Sequence, residues 1–322
     1  MSERRRSSTK CTLELAQKIT CKELLLGDNP FIGVSHLTQE AARKESSQAT
    51  LDNILRVMQA AHKSGATGFT FSTHPRNLEV LTHVRHNNPN LLRELNYFIL
   101  APYAQTYVRR SNEEGTPAMA KSILRSVTAR PSAAFELAGA LLSRNVAGLV
   151  GAFVGSETMP FMRILPENRV SAILLHEVMT DLIVAFQLDG LLRGIGKYVK
   201  QKMGIPFGVE TRNFGQLCAF LENTSYVPEF IMAPFNALGY QMAPNRLAAE
   251  NALVRVSECS SVLAMNILAS GALSLAEAIE YLSNHNRHLY GIVSATVNPA
   301  RASQNFLSLK ERFLSGTEHS IF

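Results

Sequence analysis

Four titratable residues stand where apolar runs of this chain stop. Asp28 follows the run Glu23–Leu26, His74 follows Thr67–Phe71, His176 closes Ala172-Ile-Leu-Leu-His176, and Glu210 closes Pro206–Glu210. A group of this kind at the end of a buried run needs a partner, solvent or a ligand. Two histidines and two carboxyls are suited to general acid–base catalysis. The same four are hard or borderline ligands that would hold a divalent cation if the fold drew them together. His176 is the sharpest of them, with three roles open: redox acid, general base or metal ligand. Plainer roles stand beside these: Asp28-Asn29-Pro30 is also a turn signal, and His74 is placed to cap a following helix.

Further polar groups follow the same rule. Tyr103 comes after the third run and Asn236 after the sixth, Asn266 falls in the seventh, and Ser294 and Thr296 come with the eighth. The two asparagines read either as core amides bonded to backbone or as ligand contacts. Tyr103, Phe235 and Tyr240 read as wall packing, or as a flat surface for a ligand ring.

Eight candidate strands would position these residues: Glu23–Leu26, Thr67–Phe71, Tyr97–Ala101, Ala172–His176, Pro206–Glu210, Phe230–Pro234, Val262–Ile267 and Tyr290–Ser294. Most are continuous apolar runs, as parallel strands covered on both faces require. Helical periodicity fills the gaps at Thr50–Ser64, Ala185–Met203, Phe214–Glu222, Asn245–Ser257, Ser274–Ser283 and Pro299–Phe313. Ser274-Leu-Ala-Glu277 has capping-box spacing, and Pro299 suits a first helical turn. Eight strand-then-helix units predict an α/β fold, a (β/α)₈ TIM barrel, with chemistry at the C-terminal strand ends. An open doubly wound sheet is the competitor, but no GxGxxG follows an early strand.

One interval departs from the pattern. Between the third and fourth strands, Ala118–Ala129, Ser132–Ser143 and Glu157–Ile164 read as helices. Gly148–Gly155 reads as an extra strand or a packed glycine-rich loop. This helical insertion predicts either a cover over the barrel or, through residues 118–165, a homo-oligomer interface.

Composition narrows the partners. With 46% hydrophobic and 18% charged residues the chain is globular. Part of the net charge of +6 sits in Arg4, Arg5, Arg6 and Lys10, so residues 1–20 read as a flexible basic arm and 21–322 as one barrel domain. No basic stripe interleaved with aromatics points to nucleic acid. No apolar stretch is long enough to cross a bilayer. Cys11, Cys21, Cys218 and Cys259 lack paired spacing and suit reduced thiols of a cytoplasmic protein. A small molecule is the expected substrate.

The loops after strands seven and eight are the usual phosphate-gripping corner of such a barrel. Here Ser294-Ala-Thr296-Val-Asn298-Pro-Ala-Arg301 enters the last helix, offering amides and a guanidinium. From about residue 24 to 313, the order and spacing of segments resemble the aldo-keto reductase superfamily. Ala60-Ala-His-Lys-Ser-Gly65-Ala-Thr-Gly-Phe69 resembles the family's early helix and strand, and Ile173-Leu-Leu-His176 its fourth strand. Phe207-Gly-Val-Glu210-Thr-Arg-Asn213 and Phe235-Asn236-Ala-Leu238 resemble its next two. The resemblance implies NADP(H) as cofactor, gripped by Asn236, Ser294, Thr296, Arg301, Gln304 and Asn305, with Phe235 stacked on the nicotinamide.

The family's catalytic Asp, Tyr and Lys fall at Thr70, near His74 or Pro75, and near Ala101 or Pro102, so only its histidine is retained, as His176. The expectation is a divergent aldo-keto-reductase-like oxidoreductase with a non-standard site built from His176, Glu210, His74 and Asp28. Two alternatives stay open. One is a metal-dependent or cofactor-independent lyase, isomerase or hydrolase on the same barrel; the other is a non-catalytic binding or assembly protein.

Overall fold

The computed structural model describes residues 21–33, 47–103 and 146–314. Eight strands form a closed, all-parallel barrel in chain order: β1 (Glu23–Gly27), β2 (Gly68–Ser72), β3 (Asn96–Ala101), β4 (Val170–Leu175), β5 (Phe207–Glu210), β6 (Phe230–Pro234), β7 (Ser261–Met265) and β8 (Gly291–Ser294). β8 pairs back onto β1, with Leu26 opposite Ser294. The (β/α)₈ barrel expected from the apolar runs is the fold.

The period of two along each strand sorts side chains into two cores. Leu24, Leu26, Phe69, Phe71, Ile173 and Leu175 point outward beneath the helices, in one large cluster. Leu25, Phe98, Leu100, Leu174, Met232 and Leu263 fill the barrel interior. Interior packing pairs large with absent side chains. A Cβ on Gly208 would lie 2.3 Å from Leu174 Cδ2, and one on Gly291 would lie 2.8 Å from Leu263 Cδ2. Each glycine leaves room for the neighbouring strand's leucine. At the N-terminal end Glu23 points inward, accepting from Asn96 Nδ2 at 2.8 Å and from the Thr67 hydroxyl. That cluster closes the floor far from the strand ends where chemistry is expected.

Ten helices of the described residues wrap this core: α1 (Leu51–Lys63), α2 (Pro75–Asn87), α3 (Pro89–Glu94), α4 (Val146–Met162), α5 (Glu177–Ala185), α6 (Asp189–Tyr198), α7 (Phe214–Glu222), α8 (Arg246–Val256), α9 (Leu275–Ser283) and α10 (Pro299–Phe313). Local chemistry starts them. Thr50 caps α1, Asn245 caps α8, Asn298 caps α10, and Ser274 with Glu277 closes a full capping box on α9.

Four expectations are corrected. The helix expected over Ala185–Met203 starts later: α5 ends at Ala185, the chain breaks where Gln187 takes a φ of 53° and Leu188 N donates to Ile183 O, and α6 opens at Asp189 and runs into a π-helical turn at Val199–Met203. Gly148–Gly155 is neither strand nor loop, and the helix at Glu157–Ile164 starts earlier: both belong to α4. Its glycines let Tyr198 of α6 approach, since a Cβ on Gly151 would lie 2.6 Å from that ring. β4 ends at Leu175, so His176 leaves the strand as the cap of α5.

Helices α2, α3 and α5 lie outside the expected helical segments. Residues 1–20, with the basic arm, and the helices expected at Ala118–Ala129 and Ser132–Ser143 lie outside the described residues. Among the described residues no helix is long and apolar enough to cross a membrane.

Candidate active site

The strand ends open into a cavity of about 240 Å³ at the C-terminal mouth of the barrel. Inward positions form its floor: Gly27, Thr70, Leu100, Met232, Met265 and Val293. Asp28 and Glu210 line it from strands β1 and β5, which are opposite one another in an eight-stranded ring. From there the cavity reaches Ser294, Arg301 and Asn305 at β8 and α10.

Asp28 is buried and held hard. Its Oδ2 accepts from Ser72 N at 2.9 Å, Ser72 Oγ at 2.8 Å and Asn77 Nδ2 at 2.6 Å. The turn Asn29–Phe31, entered through Pro30, carries the chain away directly after it. Burial raises its pKa against the pull of these three donors and of its own backbone amide.

Glu210 ends β5 only 8% exposed. Burial pushes its carboxyl up to about 8; the Glu177 charge pushes the same way, while the Glu177 amide and Arg212 oppose it. That amide donates to Glu210 Oε2 at 3.3 Å. Arg212 spends its Nε on the Glu177 carboxylate. The result is a carboxyl group largely protonated at neutral pH, beside an arginine already paired.

The two histidines are tied up as helix caps, although the charges of Glu177, Arg212 and Asp28 act on His176. His74 Nδ1 accepts from Arg76 N at 3.0 Å, capping α2, and His176 Nδ1 accepts from Val178 N at 3.4 Å, capping α5. Tyr103 lies between them, its ring 5.0 Å from His74 and 6.2 Å from His176, edge-on to both. Burial lowers the His176 pKa, which keeps the ring neutral. Neither histidine lines the cavity. Of the four expected acid–base residues, the fold therefore brings Asp28 and Glu210 into one space and uses the histidines as helix caps. Among the described residues no group of three or more His, Cys, Asp or Glu side chains is placed to hold a metal.

The expected cofactor residues divide similarly. Ser294 Oγ accepts from Asn305 Nδ2 at 3.2 Å, and both line the cavity with Arg301. Thr296 Oγ1 accepts from Asn298 N at 3.1 Å and sets up the start of α10. Asn298 takes the Arg301 amide with its side chain and the Ala302 amide with its carbonyl, so what the start of α10 offers the cavity is the Arg301 side chain; Arg212, which also lines the cavity, is paired with Glu177. Gln304 is exposed and off the cavity.

Phe235 is corrected outright. Its ring is fully buried on the outer face of the barrel, edge-on to Phe214 of α7 at 5.1 Å, and cannot stack on a ligand in the mouth. Asn236 is buried too, bonding Tyr240 O at 3.0 Å and Tyr240 N at 2.8 Å to shape the loop after β6. Asn266, at a φ of 50°, reaches the cavity edge while bonding Gln241 Oε1 at 3.0 Å.

Sequence reasoning missed the importance of Thr70. It is 3% exposed, lines the floor, and its Oγ1 has no hydrogen-bond partner among the described residues. A hydroxyl in an inward position of the apolar run Thr67–Phe71 was the available signal.

No family model and no curated protein matches the chain. Solved structures do. Aldo-keto reductase AKR11C1 from Bacillus halodurans, in its holo form, superimposes with a TM-score of 0.53 at 10% identity, over 93% of this chain and 93% of its own. A Pseudomonas aeruginosa protein assigned to the aldo-keto reductases gives a TM-score of 0.52 at 12% identity, over 93% of this chain and 96% of its own. The chain shares the aldo-keto reductase fold, as its strand order and spacing led one to expect.

Proposed function

We propose that this chain is an aldo-keto-reductase-like oxidoreductase that uses NADP(H) on a small carbonyl compound, with Glu210 as its proton donor. One observation carries the reading: a single cavity joins Glu210 and Asp28 to Ser294, Arg301 and Asn305. The Arg301 guanidinium has no ion-pair partner among the described residues and suits a cofactor phosphate. Ser294 and Asn305, buried and bonded to each other, would fix the adjoining wall. Bound nicotinamide supplies a hydride.

The chain's own residues would manage the proton. Glu210, raised to about 8, is largely protonated at neutral pH and gives its proton to the carbonyl oxygen as the alcohol forms; solvent then reprotonates it. The Glu177 amide orients the carboxyl through Oε2. The Glu177 carboxylate occupies Arg212, whose charge would favour the ionised form of Glu210, and itself pushes the Glu210 pKa up. The floor residues Leu100, Met232, Met265 and Val293 keep the site dry. Glu210 thus takes the role that a tyrosine plays in the family the chain resembles.

Titrating the protein with NADPH and NADH while following nucleotide fluorescence tests this. Saturable binding of NADPH is expected, and failure of either nucleotide to bind would sink the reading. A cofactor-independent proton transfer is the second reading, favoured by two buried carboxyls sharing one cavity; turnover without nucleotide would select it.

A further inference from the structure

The helix that follows β4 grips the turn that leaves Glu210. Glu177 and Asp181 of α5 are four residues apart and so share one side of the helix. Glu177 holds the Arg212 side chain. Asp181 holds the turn itself. Its Oδ1 accepts from the Thr211 hydroxyl at 2.5 Å and its Oδ2 from Asn213 Nδ2 at 2.8 Å, and the Arg212 amide adds a weaker bond. One carboxylate thus collects donors from the three residues directly after Glu210.

Two observations separate this from an ordinary surface contact. Asn213 is the N-cap of α7, and asparagine is among the best caps, yet its side chain makes no cap bond and goes to Asp181 instead. Thr211 is fully buried with both sides of its hydroxyl engaged: it donates to Asp181 and accepts from Asn213 N at 2.9 Å. Elsewhere the turn is tied by Thr211 N to Met232 O at 3.0 Å and by Ala243 N to Arg212 O at 3.1 Å. The ties to Asp181 fix where the turn stands relative to α5, and hence relative to Glu177. The charges that bear most on Glu210 are those of Glu177 on α5, Arg212 in its own turn and Asp28 after β1. Asp181 is not among them, so it acts on Glu210 through position.

We propose that Asp181 is a positioning residue for the proton donor: by fixing residues 211–213 it keeps Arg212 on Glu177 and Glu210 at the cavity wall. A turn released from Asp181 would let Arg212 divide itself between Glu177 and Glu210 and would let water reach Glu210. Both changes favour the ionised carboxylate. The importance of this tie for catalysis rests on the reading of Glu210 as the acid; its effect on the Glu210 proton does not.

Carboxyl NMR titration of Glu210 in the full chain, without nucleotide or substrate, tests the assignment in variants that leave every charge in place. T211V has nearly the same shape and removes the hydroxyl bond. The proton affinity of Glu210 should then fall about tenfold or more, the usual effect of a nearby opposite charge. T211S keeps the hydroxyl and loses only a buried methyl group, so it should lower the urea midpoint and leave the Glu210 titration where it is in wild type. A purely structural Asp181 would show lost stability in both variants and an unmoved Glu210 in each. No fall in folded T211V, or an equal fall in T211S, would overturn the assignment. If T211V does not fold, N213A decides: it removes one donor to Asp181 and no helix cap, and an unmoved Glu210 there overturns the proposal as well. A separate NADPH titration tells the two failures apart. A Glu210 shift in a chain that binds no nucleotide defeats only the oxidoreductase, and nucleotide binding with an unmoved Glu210 defeats only the positioning role.

Discussion

Arg212 donates its Nε to the carboxylate of Glu177, whose own backbone amide bonds Glu210. Burial raises the Glu210 pKa most and this pairing bears on the rest: the Glu177 charge pushes it further up, and Arg212, which opposes it, is engaged by Glu177. Replacing Glu177 with Gln removes the repulsion and frees Arg212. The Glu210 pKa should then fall from about 8 toward the ordinary range for a glutamate. Carboxyl NMR titration of Glu210 reads the shift directly, and an unmoved or higher value contradicts it.

Glu210 also gives folding a definite dependence on pH. Its pKa is 4.5 in the ordinary state and about 8 when folded, so between these values the folded chain holds more protons than the unfolded one. The stability it contributes is complete below about 4.5 and is lost as pH rises through about 8. Glu210→Gln should flatten this slope, worth on the order of a few kcal/mol, while abolishing carbonyl reduction. Urea unfolding across that pH range checks the slope, and a slope retained in the variant would point to another group.

Arg301 is expected to hold a phosphate. Arg301→Ala should weaken NADPH binding by about ten- to a hundredfold, the usual effect of losing a charged hydrogen-bonding group. The wild-type affinity should fall with added salt and the variant's should fall less. Equal affinities across a salt series would place the phosphate elsewhere.

His176 caps α5 through Nδ1 and does not line the cavity. Asparagine is also a good cap, so His176→Asn should leave the melting temperature almost unchanged, whereas His176→Ala should cost about 0.5–2 kcal/mol. Turnover in His176→Asn should remain well above that of Glu210→Gln. A collapse of turnover to the same level would return the acid role to the histidine.

The barrel interior should resist even one added methyl group. Gly208→Ala places a carbon 2.3 Å from Leu174 Cδ2 and 2.8 Å from the Phe230 carbonyl oxygen. Overpacking of this kind costs about 1–3 kcal/mol. A urea midpoint equal to wild type would show that β5 and β6 can part without penalty.

Much of this molecule is legible in its residues. Parallel strands under helices are buried on both faces, so each must be an apolar run, and eight such runs alternating with helical patterns leave few folds besides the closed barrel. The polar stops after those runs mark the strand ends, and Asp28 and Glu210 were found that way. Tertiary structure alone decided which stops share a cavity, because that depends on which side of a strand a side chain leaves and which strands stand opposite. Phe235 follows the inward-facing Pro234 by one residue and so turns outward to Phe214, while His176 steps off β4 into a helix cap. Thr70 looked like an ordinary residue of an apolar run until the barrel closed around its hydroxyl. The charge of Glu210 likewise belongs to no local pattern: it follows first from burial and then from the neighbouring Glu177 carboxylate, which outweigh the pull of the Glu177 amide and Arg212.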